Sequence, residues 1–225
     1  MKRIFVKTKN IKALVVLMEK LINRPLNAPG MGLIFGEPGL GKSKAILWWA
    51  MRNSAVIITA KNQMTVKWFL SDLLQELGET PLQHNNAYLF QQVVAKLTDK
   101  PKVLIVDEID YLINQQRVIE TLRDLHDKTG IPVLMVGMGL VDKKLSRHKH
   151  LFDRVIEIYK FQPFDFEDVK NIVQTICEVE VSEDAVEFIF KQTNRFRQLI
   201  KVISKIENIA DTNGYKKITE KELVL

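Results

Sequence analysis

The sequence predicts an α/β domain built on a five-stranded parallel sheet flanked by helices, followed by a small C-terminal helical lid. Two observations support this fold class. First, short apolar runs alternate with segments of helical periodicity, as is typical of strands buried in a parallel sheet; the runs lie at residues 31–35, 54–60, 103–106, 131–136 and 155–159. Second, the pattern becomes purely helical beyond Pro163. We therefore expect an α/β domain with an N-terminal helix over residues 1–162 and a helical lid over residues 163–225.

Helical periodicity marks the segments between these strands. Apolar residues at spacings of three and four run from Ile11 to Ile22 and predict an amphipathic helix before the first strand. The same spacing begins again at Val66 and predicts a helix that ends near Gly78. Another helix is expected in the region of residues 88–97. Helices in these positions would cover the sheet.

The lid segment contains signals for helix starts. Asp165 and Ser182 are residue types that cap helix N-termini, and the spacing of Thr219 and Glu222 matches a capping box. An apolar stripe over residues 199–210 predicts a further helix. We therefore expect this part of the chain to contain helices only.

The composition is that of an ordinary globular protein, since 46% of the 225 residues are hydrophobic and 27% are charged. No apolar run approaches the length that spans a bilayer, and the N-terminus shows no export signal. We therefore expect a cytoplasmic protein without a membrane partner. The single cysteine, Cys177, cannot form an internal disulfide and is expected to be a buried thiol.

The formal net charge is +6, which by itself only mildly favours a polyanionic partner. The placement of the cations says more, because Lys143, Lys144, Arg147 and Lys149 cluster within a few positions. A solvated surface and a nucleic-acid contact both explain such a cluster. The sequence leaves these two interpretations open.

A glycine-rich segment lies between the first predicted strand and a helix. It matches the phosphate-binding loop, or P-loop, in which backbone N–H groups and a helix N-terminus face the phosphates. Lys42 would reach the β and γ phosphates, and the Ser43 hydroxyl would bind Mg²⁺, so we expect ATP and Mg²⁺ as ligands. The residues expected to bind the nucleotide are Gly36, Glu37, Pro38, Gly39, Leu40, Gly41, Lys42, Ser43 and Lys44.

Two carboxylates, Asp107 and Glu108, directly follow the third apolar run. The carboxyl ends of parallel strands share one edge of a sheet, so we expect these side chains beside the P-loop. Asp107 would hold the water shell of the metal, and Glu108 would orient and polarise the attacking water as a general base. Asp110 is expected to cap a helix or to form a pair at the surface.

These motifs resemble those of the AAA+ ATPases, a type of P-loop NTPase, over almost the whole chain, from residues 32–36 through 103–108 to 194–199. Within this family the chain is similar to DNA-transposition regulators such as the phage Mu B protein and the TnsC proteins. That similarity lies in residues 59–65, in a helix that ends at residues 76–78 and in the compact lid. It implies an ATPase that oligomerises as a ring or helical filament on duplex DNA, without sequence preference, and recruits or stimulates a transposase.

The resemblance also implies roles for two arginines. Arg154, just before the fifth strand, matches the arginine finger that reaches the γ phosphate of a neighbouring subunit, with Arg147 as the alternative. Arg197, at the start of a lid helix, matches the sensor 2 arginine that contacts the bound nucleotide. The sensor 1 position holds Met138, whose thioether is a weak acceptor, so we expect slow or partner-stimulated hydrolysis.

In assemblies of this type, DNA is contacted from loops that face a central channel, and the matching basic residues are Lys61, Lys67 and Arg117. Contacts of this kind are independent of sequence and weaken with salt. For any one of these residues, an ordinary exposed side chain is an equally good interpretation. Two other functions stay open: a replication helicase loader or initiator of the same superfamily, and an ATP-gated signalling switch that acts through protein contacts without DNA.

Overall fold

The computed structural model describes residues 1–2, 4–25, 27–82 and 85–223. Within these ranges, no helix has the length and apolar character needed to cross a membrane. The chain divides into two compact units. The α/β unit comprises Ala13–Glu37 and Lys42–Phe161, and the helical unit comprises Met1–Lys12, Pro38–Gly41 and Gln162–Leu225.

A five-stranded sheet forms the centre of the α/β unit, as far as the described residues show, in the strand order β2-β3-β4-β1-β5. All paired strands run parallel. The strands are β1 (Met31–Gly36), β2 (Ala55–Thr59), β3 (Val103–Asp107), β4 (Val133–Met138) and β5 (Val155–Lys160). The predicted fold class is confirmed, since each apolar run forms a strand within two residues of its expected bounds.

Helices cover both faces of this sheet. They are α1 (Lys9–Ile22), α2 (Lys42–Ala50), α3 (Val66–Glu76), α4 (Asn86–Asp99), α5 (Gln116–Thr129), α6 (Val141–Leu145) and α7 (Lys149–Phe152), with a 3₁₀ turn at Ile109–Leu112. Helices α3, α4 and α5 share one apolar cluster with Leu33 of β1. Leu17 and Leu21 of α1 lie over Gly32. Because neighbouring strand residues point to opposite faces, α1 covers the face opposite to that cluster.

The position of a strand in the sheet explains its burial. Strands β1 and β3 are buried along their whole length, because other strands flank them and helices cover them. Strand β5 lies at an edge of the sheet, and its Ile156 and Ile158 side chains are 43% and 46% exposed. Since the strands are parallel, the ends of β1, β3 and β4 that carry the predicted motifs meet at one edge of the sheet.

The helical unit contains α8 (Phe166–Ile176), α9 (Glu183–Gln192), α10 (Phe196–Asn213) and α11 (Glu220–Leu223). Asp165 caps α8 by accepting a hydrogen bond from the N–H of Asp168, as predicted. Ser182 precedes α9 as predicted, but its hydroxyl donates to the carbonyl of Ile218 and does not cap the helix. Cys177 is a buried free thiol, as expected, and burial raises its pKa.

The expectation of helices only in the C-terminal part was wrong. Strands β6 (Glu180–Val181) and β7 (Lys217–Ile218) form a two-stranded parallel pair. Strands of two residues are too short to show a periodicity in sequence. The capping-box spacing is confirmed, because the N–H of Thr219 donates to the Glu222 carboxylate at 2.6 Å.

The first twelve residues belong to the helical unit, although the sequence placed them in a domain of residues 1–162. The N–H of Lys9 donates to Asp168 at 3.1 Å, and the amide of Asn10 donates to the carbonyl of Gln162 at 2.8 Å. These contacts join residues more than 150 positions apart in the chain. No local sequence signal reports such a contact.

Candidate nucleotide-binding site

The P-loop connects the end of β1 at Gly36 with the start of α2 at Lys42. Its backbone turns at Gly39 and Gly41, whose φ angles are 85° and 87°. A side chain at either position would strain the backbone, since this region of φ favours glycine. The glycines therefore allow successive N–H groups to curl toward one point in front of α2.

Lys42 is buried at the base of this loop, with 8% of its surface exposed. Its Nζ donates hydrogen bonds to the carbonyl oxygens of Gly36, at 2.7 Å, and Glu37, at 3.0 Å. Burial lowers the pKa of Lys42, and the nearby carboxylates of Asp107 and Asp110 oppose that shift. A buried ammonium that is held in place by backbone carbonyls is well placed to bind a polyanion.

Asp107 is the last residue of β3 and is 7% exposed. Its Oδ1 accepts a hydrogen bond of 2.9 Å from the N–H of Glu108. Glu108 has a left-handed backbone, with φ 56° and ψ 38°. A non-glycine residue in this region costs about 1–2 kcal/mol, so the surrounding structure must hold Glu108 in this conformation. Residues held in this way cluster at functional sites, which agrees with the catalytic role predicted for Glu108.

Asp110 was expected at the surface, but the structure places it half-buried between two strand ends. Its Oδ2 accepts a hydrogen bond of 2.7 Å from the N–H of Met138. A Cβ on Gly137 would lie 2.8 Å from that same oxygen. Asp110 therefore pairs with a backbone N–H at a partly exposed position and ties the turn after β3 to the end of β4. These residues are 28 positions apart, and only the small residue Gly137 hints at the close approach.

The residues present fit a magnesium ion that is held together with a bound triphosphate. Ser43 lies in the first turn of α2, and Asp107 offers a buried carboxylate at the end of β3. Hydroxyl and carboxylate oxygens are the ligand types that Mg²⁺ prefers, and Mg²⁺ takes its other ligands from phosphate oxygens and water. No group of three or more His, Cys, Asp or Glu side chains in the described ranges forms an independent metal site.

Arg197 lies at the start of α10 and is exposed. Within the helical unit, its backbone N–H donates to the carbonyl of Gly39 at 3.2 Å. This bond places the first turn of α10 beside the apex of the P-loop. The sensor 2 role of Arg197 stays a prediction.

Arg154 lies near the end of the sheet at which the strands begin, opposite to the end that carries the P-loop. Its carbonyl accepts from the N–H of Met31, the first residue of β1, whereas the P-loop begins after Gly36. A strand rises about 3.3 Å per residue, so the two levels are about 16 Å apart. The Arg154 guanidinium also makes a two-point ion pair with Asp127, at 3.1 and 2.9 Å. Arg154 therefore lies far from its own P-loop, and its finger role toward a neighbouring copy stays a prediction.

The three residues predicted to contact DNA have different surroundings. Lys61 follows β2 and forms an ion pair with Asp72 at 3.2 Å, and its ammonium lies 4.9 Å from the centre of the Trp68 ring. Lys67 and Arg117 are exposed. Neither of them forms an ion pair with another described residue. Their DNA contacts stay predictions.

Three known proteins place this geometry in context. The chain is 29% identical over 127 residues to a potential ATP-binding protein of Staphylococcus aureus. The aligned region covers 52% of this chain and 46% of that relative. The fold of the chain is similar to that of the ORC2 protein of Aeropyrum pernix in ADPNP–ADP complexes, with a TM-score of 0.74, 15% identity, and coverage of 97% and 66% of the two chains. It is also similar to the ORC1 protein of Aeropyrum pernix in complex with DNA, with a TM-score of 0.64, 12% identity, and coverage of 95% and 62%.

The chain thus spans about half the length of the curated relative and less than two thirds of each ORC protein, and the ORC similarities concern the fold. The sequence profile of the AAA domain family matches residues 26–145, which include the P-loop, Asp107 and Glu108. This match covers more than half of the chain and agrees with the five-stranded parallel sheet. The chain belongs to the AAA domain family of P-loop proteins.

Proposed function

We propose that this protein is an ATP-dependent regulator of DNA transposition, which oligomerises on target DNA without sequence preference and recruits or stimulates a transposase. The observation that carries the ATP-dependent part is the buried ammonium of Lys42, with Asp107 and Glu108 at the same edge of the sheet. The similarity of residues 59–65 and of the lid to transposition regulators supports the DNA part. An overall charge of +6 agrees with a polyanionic partner.

Each site residue has a distinct task in this proposal. Lys42 binds the β and γ phosphates, and Ser43 and Asp107 hold the Mg²⁺ that neutralises charge on the phosphates. Glu108 orients the attacking water and accepts its proton. Met138 presents its backbone N–H to Asp110 and offers no strong side-chain donor, so we expect slow hydrolysis that a partner accelerates.

The position of Arg154 supports the proposed oligomerisation. A cation about 16 Å below the P-loop level can stabilise a developing negative charge only in an adjacent copy. Each γ phosphate would then meet Arg154 of a neighbouring molecule, so hydrolysis would depend on assembly. A head-to-tail contact of this kind produces a closed ring or an open helical filament.

The test is duplex DNA binding, measured by gel shift and by filament imaging, with ATP, with a non-hydrolysable analogue and without nucleotide. We expect DNA-bound oligomers with ATP or the analogue and none without nucleotide. The Lys42→Ala variant should lose nucleotide binding and assembly together, whereas Lys191→Ala, which changes an exposed lysine of α9, should retain both. If neither nucleotide state associates with DNA, the transposition regulator is excluded and a signalling switch is left.

A replication initiator or helicase loader is the second candidate function, because the fold is similar to that of the two ORC proteins. Both candidates bind DNA, so the discriminating measurement is partner activity. A transposition regulator should raise the strand-transfer rate of a transposase, whereas a loader should deposit a helicase on DNA. Helicase loading without any effect on strand transfer would favour the second candidate.

A further inference from the structure

The segment from Lys143 to His150 carries a dense set of cations on α6, α7 and the turn between them. We call these eight residues the basic segment. Four of these side chains are Lys or Arg, are therefore charged at neutral pH, and are exposed: Lys143, Lys144, Arg147 and Lys149. Across the described parts of the chain, none of these four side chains lies within 4.0 Å of a carboxylate oxygen.

Exposed cations without an ion pair occur elsewhere in the described chain, but here four of them lie within seven residues. Other cations of the described chain do pair with carboxylates: Lys9 with Asp165, Lys20 with Glu157, Lys61 with Asp72, Lys96 with Glu79, Arg123 with Glu120, Arg154 with Asp127, Lys170 with Glu183 and Lys217 with Glu180. Cations close together repel one another by a few tenths of a kcal/mol per pair, about as much as an opposite pair attracts. The basic segment therefore keeps a repulsion that the fold itself does not relieve.

Apolar anchors keep the backbone of the basic segment in place despite this repulsion. Val141, Leu145 and Leu151 are fully buried on the inner side of α6 and α7. The Nε2 of His148 lies 2.8 Å from the carbonyl oxygen of Ile113. The segment is thus a fixed platform from which long cationic side chains extend into solvent, and a partner would have to order the side chains only.

We propose that the basic segment binds the phosphate backbone of duplex DNA, as a contact surface additional to Lys61, Lys67 and Arg117. This inference rests on the DNA binding proposed above and names further residues that carry it. The four Lys and Arg side chains of the basic segment lie within seven residues, on two short helices and the turn between them. Phosphates of one DNA strand follow one another at about 3.4 Å along the axis, so closely spaced cations suit more than one phosphate.

The chemistry of the exposed cations favours phosphates over a protein partner. Interface centres that bind proteins are enriched in aromatic residues and depleted in lysine, whereas lysine dominates here and the apolar residues of α6 and α7 named above face inward. Contacts to phosphate oxygens carry no sequence information. Binding should therefore be independent of DNA sequence and strongly dependent on salt.

The test compares the salt dependence of DNA affinity between the wild-type chain and a Lys143→Gln, Lys144→Gln, Lys149→Gln variant. Each lost phosphate contact lowers the slope of log K against log[salt] by about 0.9, so we expect a slope smaller by about 2 to 3 and at least about tenfold weaker binding. The matched control is Lys191→Gln, Lys201→Gln, Lys205→Gln, which removes three exposed lysines of α9 and α10. Replacing the same three segment lysines by Arg should retain the wild-type slope.

The outcomes separate this inference from the proposed function. If the wild-type chain binds DNA and the segment variant has the wild-type slope, or if the control loses as much slope, the inference is overturned and the proposed function stands. A second outcome also overturns the inference. If the segment variant no longer self-associates in light scattering without DNA, yet its DNA affinity keeps the wild-type dependence on salt, the segment is a protein interface. If the wild-type chain binds no DNA, the proposed function itself fails. ATP affinity and thermal unfolding of each variant should match those of the wild type and show that the fold is intact.

Discussion

The carboxylate of Asp110 accepts a 2.7 Å hydrogen bond from the backbone N–H of Met138. This bond joins the 3₁₀ turn that begins after Glu108 to the end of β4. Glu108 stands at the start of that turn with a left-handed backbone, which needs external support. Asp110 therefore holds the turn that sets the position of the expected general base.

Replacing Asp110 with Ala should slow ATP hydrolysis more than it weakens ATP binding. Displacement of Glu108 by a fraction of an ångström would lower kcat by about 10- to 100-fold, while KM for ATP stays close to the wild-type value. The measurement is steady-state phosphate release over a range of ATP concentrations. Asp110→Asn keeps an oxygen acceptor for the Met138 N–H and should retain most of kcat. Equal losses in kcat with both variants would show that the charge of Asp110, and not this hydrogen bond, matters.

Replacing Gly137 with Ala should destabilise the α/β unit. The new Cβ would lie 2.8 Å from the Asp110 carboxylate and 2.9 Å from the Val141 side chain, so both must move. Overpacking of this kind costs about 1–3 kcal/mol of unfolding free energy, measured by urea denaturation. In the Asp110→Ala background the cost should be smaller, since one of the two clashes is gone. Strictly additive effects of the two substitutions would contradict this account.

His126 should make stability depend on pH below neutrality. The ring is buried, its Nε2 accepts from the N–H of Gly30 at 3.2 Å, and its Nδ1 therefore donates to the carbonyl of Ile131 at 2.8 Å. Burial lowers the pKa of His126 below its ordinary value of 6.5. Arg24 and Arg154 add to this shift.

The direction of the pH effect follows from this lowered pKa. The unfolded chain binds a proton at His126 near pH 6.5, and the folded chain binds it only at lower pH. The neutral, buried His126 ring contributes to the free energy of unfolding, and this stabilisation is fully present above about pH 6.5. It is lost as pH falls toward the folded pKa, by up to about 1.4 kcal/mol per pH unit. In thermal unfolding, the fall in Tm between pH 7.5 and pH 5.5 should be smaller for His126→Gln than for the wild type. An equal drop would assign the pH dependence to other groups.

Arg154 should affect hydrolysis only when the protein is assembled. Arg154→Ala should leave ATP affinity unchanged and remove the rise of ATPase rate with protein concentration, because the guanidinium acts across a subunit contact. The loss of its partly exposed pair with Asp127 should cost less than about 1 kcal/mol of stability. Asp127→Asn is the matched control, since it breaks the same ion pair and keeps the arginine. A loss of activity that is the same at low and high protein concentration would exclude the finger role, and the same test on Arg147 would examine the alternative.

The sequence was informative wherever the signal was local and periodic. The apolar runs at 31–35 and 103–106 became β1 and β3, and the glycine spacing around Lys42 marked the P-loop between a strand and a helix. Contacts between distant residues were not predictable in the same way. Asp110 pairs with a backbone N–H 28 positions away, and a backbone group carries no side-chain signature. The Arg154–Asp127 pair is likewise formed by two common surface residues 27 positions apart.

The hydrogen bonds of Lys42 to two backbone carbonyls have a consequence for ligand choice. Any group that takes this ammonium must replace both bonds, each of which contributes about 1 kcal/mol. A neutral sugar or base has nothing stronger to offer, whereas an anionic phosphate oxygen accepts a charge-assisted hydrogen bond that is about twice as strong. We therefore expect this ammonium to select ligands that bring a phosphate group to it, before any residue recognises the base.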